Sequence, residues 1–116
     1  MGEITGWRIW LVRDGCLLSP FRETVWPSDG FVAGDPGAGF GVFAFKERRR
    51  AIEEARRMSG PGLTIAYGSV RIWGEVVEHK RGYRAEFARI ATLDGVHPAD
   101  RQLSEVCRRY GLEAPV

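Results

Sequence analysis

The chain has 116 residues, 44% hydrophobic and 28% charged, with 17 Lys and Arg against 15 Asp and Glu and a formal net charge of +2. That length supports one hydrophobic core rather than two, and the apolar fraction is too high for a disordered chain. No apolar run approaches the ~18 residues of a membrane helix, and the opening MGEITGWRIWLVRDG, with an early glutamate and a broken apolar run, does not read as a secretory signal, so a single cytoplasmic domain over 1–116 is expected.

Residues 7–12 are predicted as a strand, with Trp7, Ile9 and Leu11 on one face and Arg8, Trp10 and Val12 on the other. Asp14-Gly15 is a turn signal, and Cys16-Leu17-Leu18 returns as the second strand of a hairpin. Pro20 and Pro27 bracket a short extended piece at Thr24-Val25-Trp26. The stretch 27–40, PSDGFVAGDPGAGF, has loop composition. Residues 41–45 then read as a strand that feeds a helix over 46–58, KERRRAIEEARRM. On that helix Ala51, Ile52, Ala55 and Met58 share a narrow face, Glu53 and Arg57 form an i,i+4 pair, and Ser59-Gly60-Pro61-Gly62 ends it.

Residues 63–78 supply extended sequence, with Val70, Ile72, Gly74 and Val76 alternating against Arg71, Trp73, Glu75 and Val77. His79-Lys80-Arg81-Gly82 is a hairpin turn. On the return strand Tyr83, Ala85, Phe87 and Arg89 alternate with Arg84, Glu86, Ala88 and Ile90. A last helix is predicted over 98–110, with Pro98 at its first position, Leu103, Val106, Cys107 and Tyr110 at i, i+3, i+4 and i+7, and Gly111 at its stop. The order β-β-β-β-α-β-β-β-α predicts an α+β fold, a mostly antiparallel sheet or open β-barrel with two packed helices.

The stretches VRIWGEVVEH (70–79) and GYRAEFA (82–88) resemble the signature LWG-x-VVEHERGYRAEYA of a family of small uncharacterised actinobacterial and phage-associated domains. The resemblance extends to Thr24-Val25-Trp26-Pro27, to 41–44 and to 109–112, so it covers most of the chain. It implies kinship without an activity. Family members often carry cysteine and histidine in the loop before the strand matching 41–45, which looks like a metal knuckle. Here the loop 31–40 has neither residue type, so no metal or other cofactor is expected.

Trp73 and Glu75 share one face of the hairpin, and Arg84 and Glu86 share one face of its return strand, so a four-residue turn would set them opposite one another. Carboxylates beside His79 suit acid–base work when burial brings their pKa values toward neutrality. This defines an enzymatic alternative, a small hydrolase or transferase using Glu75, His79 and Glu86. The bland alternative is a solvated sheet face with cross-strand ion pairs. No serine lies in a nucleophile-elbow context, and Cys16 and Cys107 lack metal or redox spacing and read as small core residues. Gly37-Ala38-Gly39-Phe40-Gly41 precedes a strand, whereas a phosphate-cradling loop follows one, so it reads as a flexible loop.

Residues 46–57 carry six positive and three negative side chains. Arg48, Arg49, Arg50, Arg56 and Arg57 are therefore either a solvated helix face or a phosphate-contacting surface, which Arg108 and Arg109 would enlarge if both helices packed on one side of the sheet. Of the four tryptophans, Trp7 is assigned to the core. Trp10, Trp26 and Trp73 are candidates to stack a base or another flat ligand, with core packing as the alternative. The reading that joins these features is a non-enzymatic small binding module for nucleic acid or a nucleotide-like ligand. In it Trp10, Trp26 or Trp73 stacks, Glu75 or Glu86 reads polar edges beside Tyr83 and Arg84, and the arginine helix holds phosphates. A protein-interaction or regulatory module, with exposed tryptophans as a hot spot for a partner subunit, is the other reading. No membrane partner is expected.

Overall fold

The structure is a computed structural model and describes residues 2–22, 24–98 and 102–115. Its elements are β1 (Ile4–Arg13), β2 (Cys16–Leu18), β3 (Phe31–Ala33), β4 (Val42–Phe45), α1 (Arg48–Met58), β5 (Thr64–Glu78), β6 (Gly82–His97) and α2 (Leu103–Arg109). The six strands form one antiparallel sheet, and the fold is α+β. Among the described residues no helix is long and apolar enough to cross a membrane.

The β1–β2 turn has Asp14 and Gly15 both at positive φ, 53° and 75°, the conformation that matches a two-residue turn to the twist of its strands. β1 is buried on both faces, and the alternation read from its sequence explains how. Ile9 and Leu11 pack with Ala51 and Ala55 of α1 and with Ile65, while Trp7 lies at the edge of that cluster. Trp10 and Val12 point the other way, into a larger core that holds Leu17, Leu93 and the α2 residues Val106 and Cys107. The two helices therefore sit on opposite faces of the sheet. Arg108 and Arg109 on α2 cannot extend the basic surface of α1, contrary to the arrangement that reading required.

Tyr110 follows α2 and fastens it: its buried hydroxyl accepts from Leu17 N and donates to Trp26 O, both at 2.9 Å. Burial raises its pKa above the usual phenol value, so the hydroxyl keeps the proton it donates.

Several boundaries differ from expectation. Three strands are expected between the two helices, but among the described residues two form: β5 spans nearly all of 63–78, paired along almost its whole length with β6, and β6 runs on to His97. The stretch 27–40 has the composition of a loop throughout, yet β3 lies within it and pairs with β6, because Val32 finds buried neighbours there that composition does not reveal. Thr24-Val25-Trp26 contributes only a bridge, Leu18↔Val25. α1 starts at Arg48 rather than residue 46, and α2 is described from Leu103 onward, with 99–101 of the expected helix outside the described residues.

The β5–β6 ladder shifts register at Tyr67/Gly68, Ser69/Val70 and Trp73/Val76. Each irregularity adds local twist, and the sheet curls far enough for β4 to meet β1. One edge of β6 pairs with β5, and its other edge pairs with β4 and then β3. β4 touches β1 through a single pair, Trp7↔Phe45. Beyond that pair the two strands diverge, and the curled sheet stays open there instead of forming a regular barrel.

Candidate functional site

The open seam contains a pocket of about 590 Å³, within the size range of small-molecule sites. Its walls come from β1, the segment after β2, β3, and the Gly39–Phe45 stretch that includes β4. Arg8 lies on the same face of β1 as Trp10 and Val12, but where they find core it meets the gap. Its Nη1 donates to Phe43 O at 2.6 Å and its Nη2 to Ser19 Oγ at 3.1 Å, so the side chain spans the seam where backbone pairing stops. Ser19 Oγ also accepts from Trp26 Nε1 at 3.0 Å, which fixes that hydroxyl.

Three arginines line the pocket, and each is held by an aromatic face. Arg8 lies 5.0 Å from the Trp26 ring centroid, Arg22 lies 4.7 Å from Phe40 and Arg84 lies 5.6 Å from Phe43. Among the described residues none of the three is in an ion pair. A ring face orients a guanidinium without neutralising it and leaves its in-plane N–H donors free for other acceptors. Glu54 also lines the pocket, but Arg57 holds both its oxygens, at 3.2 and 2.6 Å, and that bond lowers its pKa.

Arg8 is the extreme case. Its Nε is buried without a hydrogen-bond partner, and burial, with the charge of Arg84 as the second cause, lowers its pKa to about 10. Arg8 is half-buried overall, and a partly desolvated cation facing a second cation is costly unless an anion joins it. The pocket mouth is apolar. Of the five large apolar side chains exposed among the described residues, Phe21 (87%), Val25 (55%) and Phe40 (56%) all belong to it.

The residues singled out from sequence divide sharply. Trp10 and Trp26 are 0% and 2% exposed and pack edge to face at 5.5 Å, so neither can stack a ligand as a free ring. Trp26 still borders the pocket, beneath Arg8. Trp73 is half-buried in a trio with Phe31 and Phe87, at centroid distances of 5.9 and 5.8 Å. It pairs with Phe87, whereas Arg84 pairs with Val77, so the expected juxtaposition of Trp73 and Arg84 is not formed. Arg84 belongs to the pocket. Tyr83 lies on the far side of its strand, under Lys46 at 5.6 Å.

Glu86 accepts from Glu75 N at 3.0 Å across the bulge, and His79 is exposed in the turn, its backbone N–H bonded to Gly82 O. Neither the seam pocket nor the basic cleft described below is lined by Glu75, His79 or Glu86, so the acid–base constellation does not converge in either. Among the described residues no group of three or more potential metal ligands is gathered.

On α1, Arg48 bonds Asp94 at 3.0 Å and lies over Trp7, Arg49 pairs with Glu47 and Glu53, and Arg57 with Glu54. Arg50 and Arg56 are in no ion pair among the described residues. The expected five-arginine surface is therefore one of mostly ion-paired charges, with Arg50 linked to Glu54 only at longer range.

Arg8 and the Phe40 loop are site residues that sequence patterns alone do not mark. The nearest signal for Arg8 is its place on a strand face otherwise occupied by Trp10 and Val12. The glycine-rich stretch 37–41 reads as a flexible loop, and only the fold shows that it forms a pocket wall. No family model, curated protein or solved structure matches the chain.

Proposed function

We propose that this chain is a non-enzymatic binding module whose seam pocket holds a nucleotide-like ligand. The phosphate lies between Arg8 and Arg84, and the flat apolar part rests on the rim formed by Phe21, Val25 and Phe40. The observation that carries this reading is the unpaired state of Arg8: a guanidinium with its Nε sealed from solvent, facing Arg84 and joined by no carboxylate among the described residues. A phosphate suits the paired forks of two guanidiniums, and a bond from a charged donor contributes about 1.5–3 kcal/mol. Cys16 and Cys107 are free thiols, which fits a reducing cytoplasm where nucleotides are also found.

The test is calorimetric titration at low salt with the common nucleoside mono- and diphosphates, the corresponding nucleosides and inorganic phosphate. Nucleotides should bind more tightly than nucleosides, and Arg8→Met should weaken them by at least about tenfold. Arg8→Lys should recover little, since lysine lacks the planar fork. Equal affinity for nucleoside and nucleotide, or an Arg8→Met protein that binds as tightly as the parent, would end this reading.

A further inference from the structure

A second depression, about 270 Å³, is lined by Lys46, Glu47, Arg49, Arg50, Lys80 and Arg81. Five of these six side chains are cationic. Glu47 is bonded by Arg49, and Lys46 by Glu78, which leaves Arg50, Lys80 and Arg81 in no ion pair among the described residues. Their placement is fixed by backbone: Lys46 N donates to Arg81 O at 3.0 Å, tying the β5–β6 turn to the start of α1.

Residues lining the two depressions are neighbours along the chain. Phe45 lines the seam pocket and Lys46, the next residue, lines the basic cleft. Glu54 borders the first and Arg50 the second, four residues apart on one helix, or about 6 Å along its axis. A ligand seated in the pocket and continuing past α1 meets Arg50, which is electrostatically linked to Glu54, and then Lys80 and Arg81. Behind Arg8 the pocket is backed by Trp26 and the core.

We infer that the occupant is the phosphate-bearing end of a single-stranded nucleic acid, with its terminal nucleotide in the seam pocket and the following phosphates along the basic cleft. The inference rests on the nucleotide reading of the pocket and adds the rest of the chain. With Trp26 and the core as a wall behind Arg8, a strand end fits the pocket better than a strand that must continue past that wall. A terminal phosphomonoester carries close to two negative charges near neutral pH, against one for an internal diester, which matches a site with three uncompensated guanidiniums. The cleft contributes sequence-independent phosphate contacts.

Fluorescence anisotropy tests this with mixed-sequence DNA and RNA oligonucleotides of about eight nucleotides, each with a 5′-phosphate, a 3′-phosphate or hydroxyl ends. The four nucleoside monophosphates compete in the same assay. At least one phosphorylated end should bind about tenfold or more tighter than both the hydroxyl-ended strand and the monophosphates. The triple variant Arg50→Gln, Lys80→Gln, Arg81→Gln should weaken the oligonucleotide and flatten its log–log salt dependence by about 2, at roughly 0.7 per phosphate for single strands. It should leave monophosphate affinity unchanged, since none of the three lines the pocket. Arg8→Met should weaken both ligands, and an unchanged melting temperature for the triple variant shows that its fold is intact. If monophosphates bind but phosphorylated strands bind no tighter, the inference is overturned and the pocket reading stands. If hydroxyl-ended strands match phosphorylated ones, end recognition is overturned. Loss of binding to every probe overturns both.

Discussion

Arg8 shows how one side chain can be shaped by what surrounds it. Three interactions hold it, with Phe43 O, Ser19 Oγ and the Trp26 face, and none removes its charge. With its pKa lowered to about 10, the unfolded chain binds more protons than the folded one from about pH 10 up to the ordinary arginine range. The contribution of Arg8 to folding stability therefore rises with pH across that window. Anion affinity runs the other way, because only the protonated guanidinium attracts a phosphate. Nucleotide affinity should be flat from pH 7 to about 9 and then fall above about 10, where an ordinary arginine would still be fully charged. Titrations over that range, with circular dichroism to confirm folding, check this, and a constant affinity through pH 11 would mean that Arg8 keeps its proton in the complex.

At the scale of elements, the bulge in β5 decides which side chains meet. Trp73 pairs with Phe87 and Val76 with Ala85, so β5 carries one residue more than β6 between these pairs. Gly74 occupies the bulge at φ 79°, and a Cβ there would stand 2.6 Å from Glu86 Oε1 and 2.7 Å from Phe87 Cδ2. The irregularity moves Trp73 off the face it would otherwise share with Arg84 and sends the two to different surroundings. Gly74→Ala should destabilise the fold by about 1–3 kcal/mol through backbone strain and crowding. Gly60→Ala, with open space around it and no positive φ, should stay within about 0.5 kcal/mol of the parent. Urea unfolding of both variants provides the comparison, and equal losses would mean that the bulge is not a constrained feature.

Across the whole molecule, the sheet separates two cores. Leu93 belongs to the one that includes α2, and Ile65 to the one under α1. Both side chains are essentially sealed from solvent, so truncating either to alanine should cost about 2–5 kcal/mol. Because they face opposite sides of the sheet, the two losses should add to within about 0.5 kcal/mol in a double-mutant cycle. A coupling well beyond that would show one continuous core and contradict the layered arrangement. The same layering separates Arg108 and Arg109 from α1, and it confines the basic cleft to the α1 side, at the turn that joins β5 to β6.

Periodicity alone carried much of this architecture. The two faces of β1, the Asp14-Gly15 turn, the buried alanines of α1 and the apolar stripe of α2 all follow from local rules, because each depends on neighbours a few residues away in the chain. Resolving the tryptophans was beyond those rules. Trp10 became core and Trp73 part of a half-buried trio because of strands paired across the sheet, and a one-residue bulge outweighed the alternation that had joined Trp73 to Arg84. The seam pocket depended still more on long-range closure. Arg8, Ser19, Phe40 and Arg84 are distant in sequence, and only the curl that brings β4 to β1 at one residue pair, then leaves them apart, assembles these groups around a single space. A gap is a property of how strands fail to meet, and no local sequence pattern encodes it.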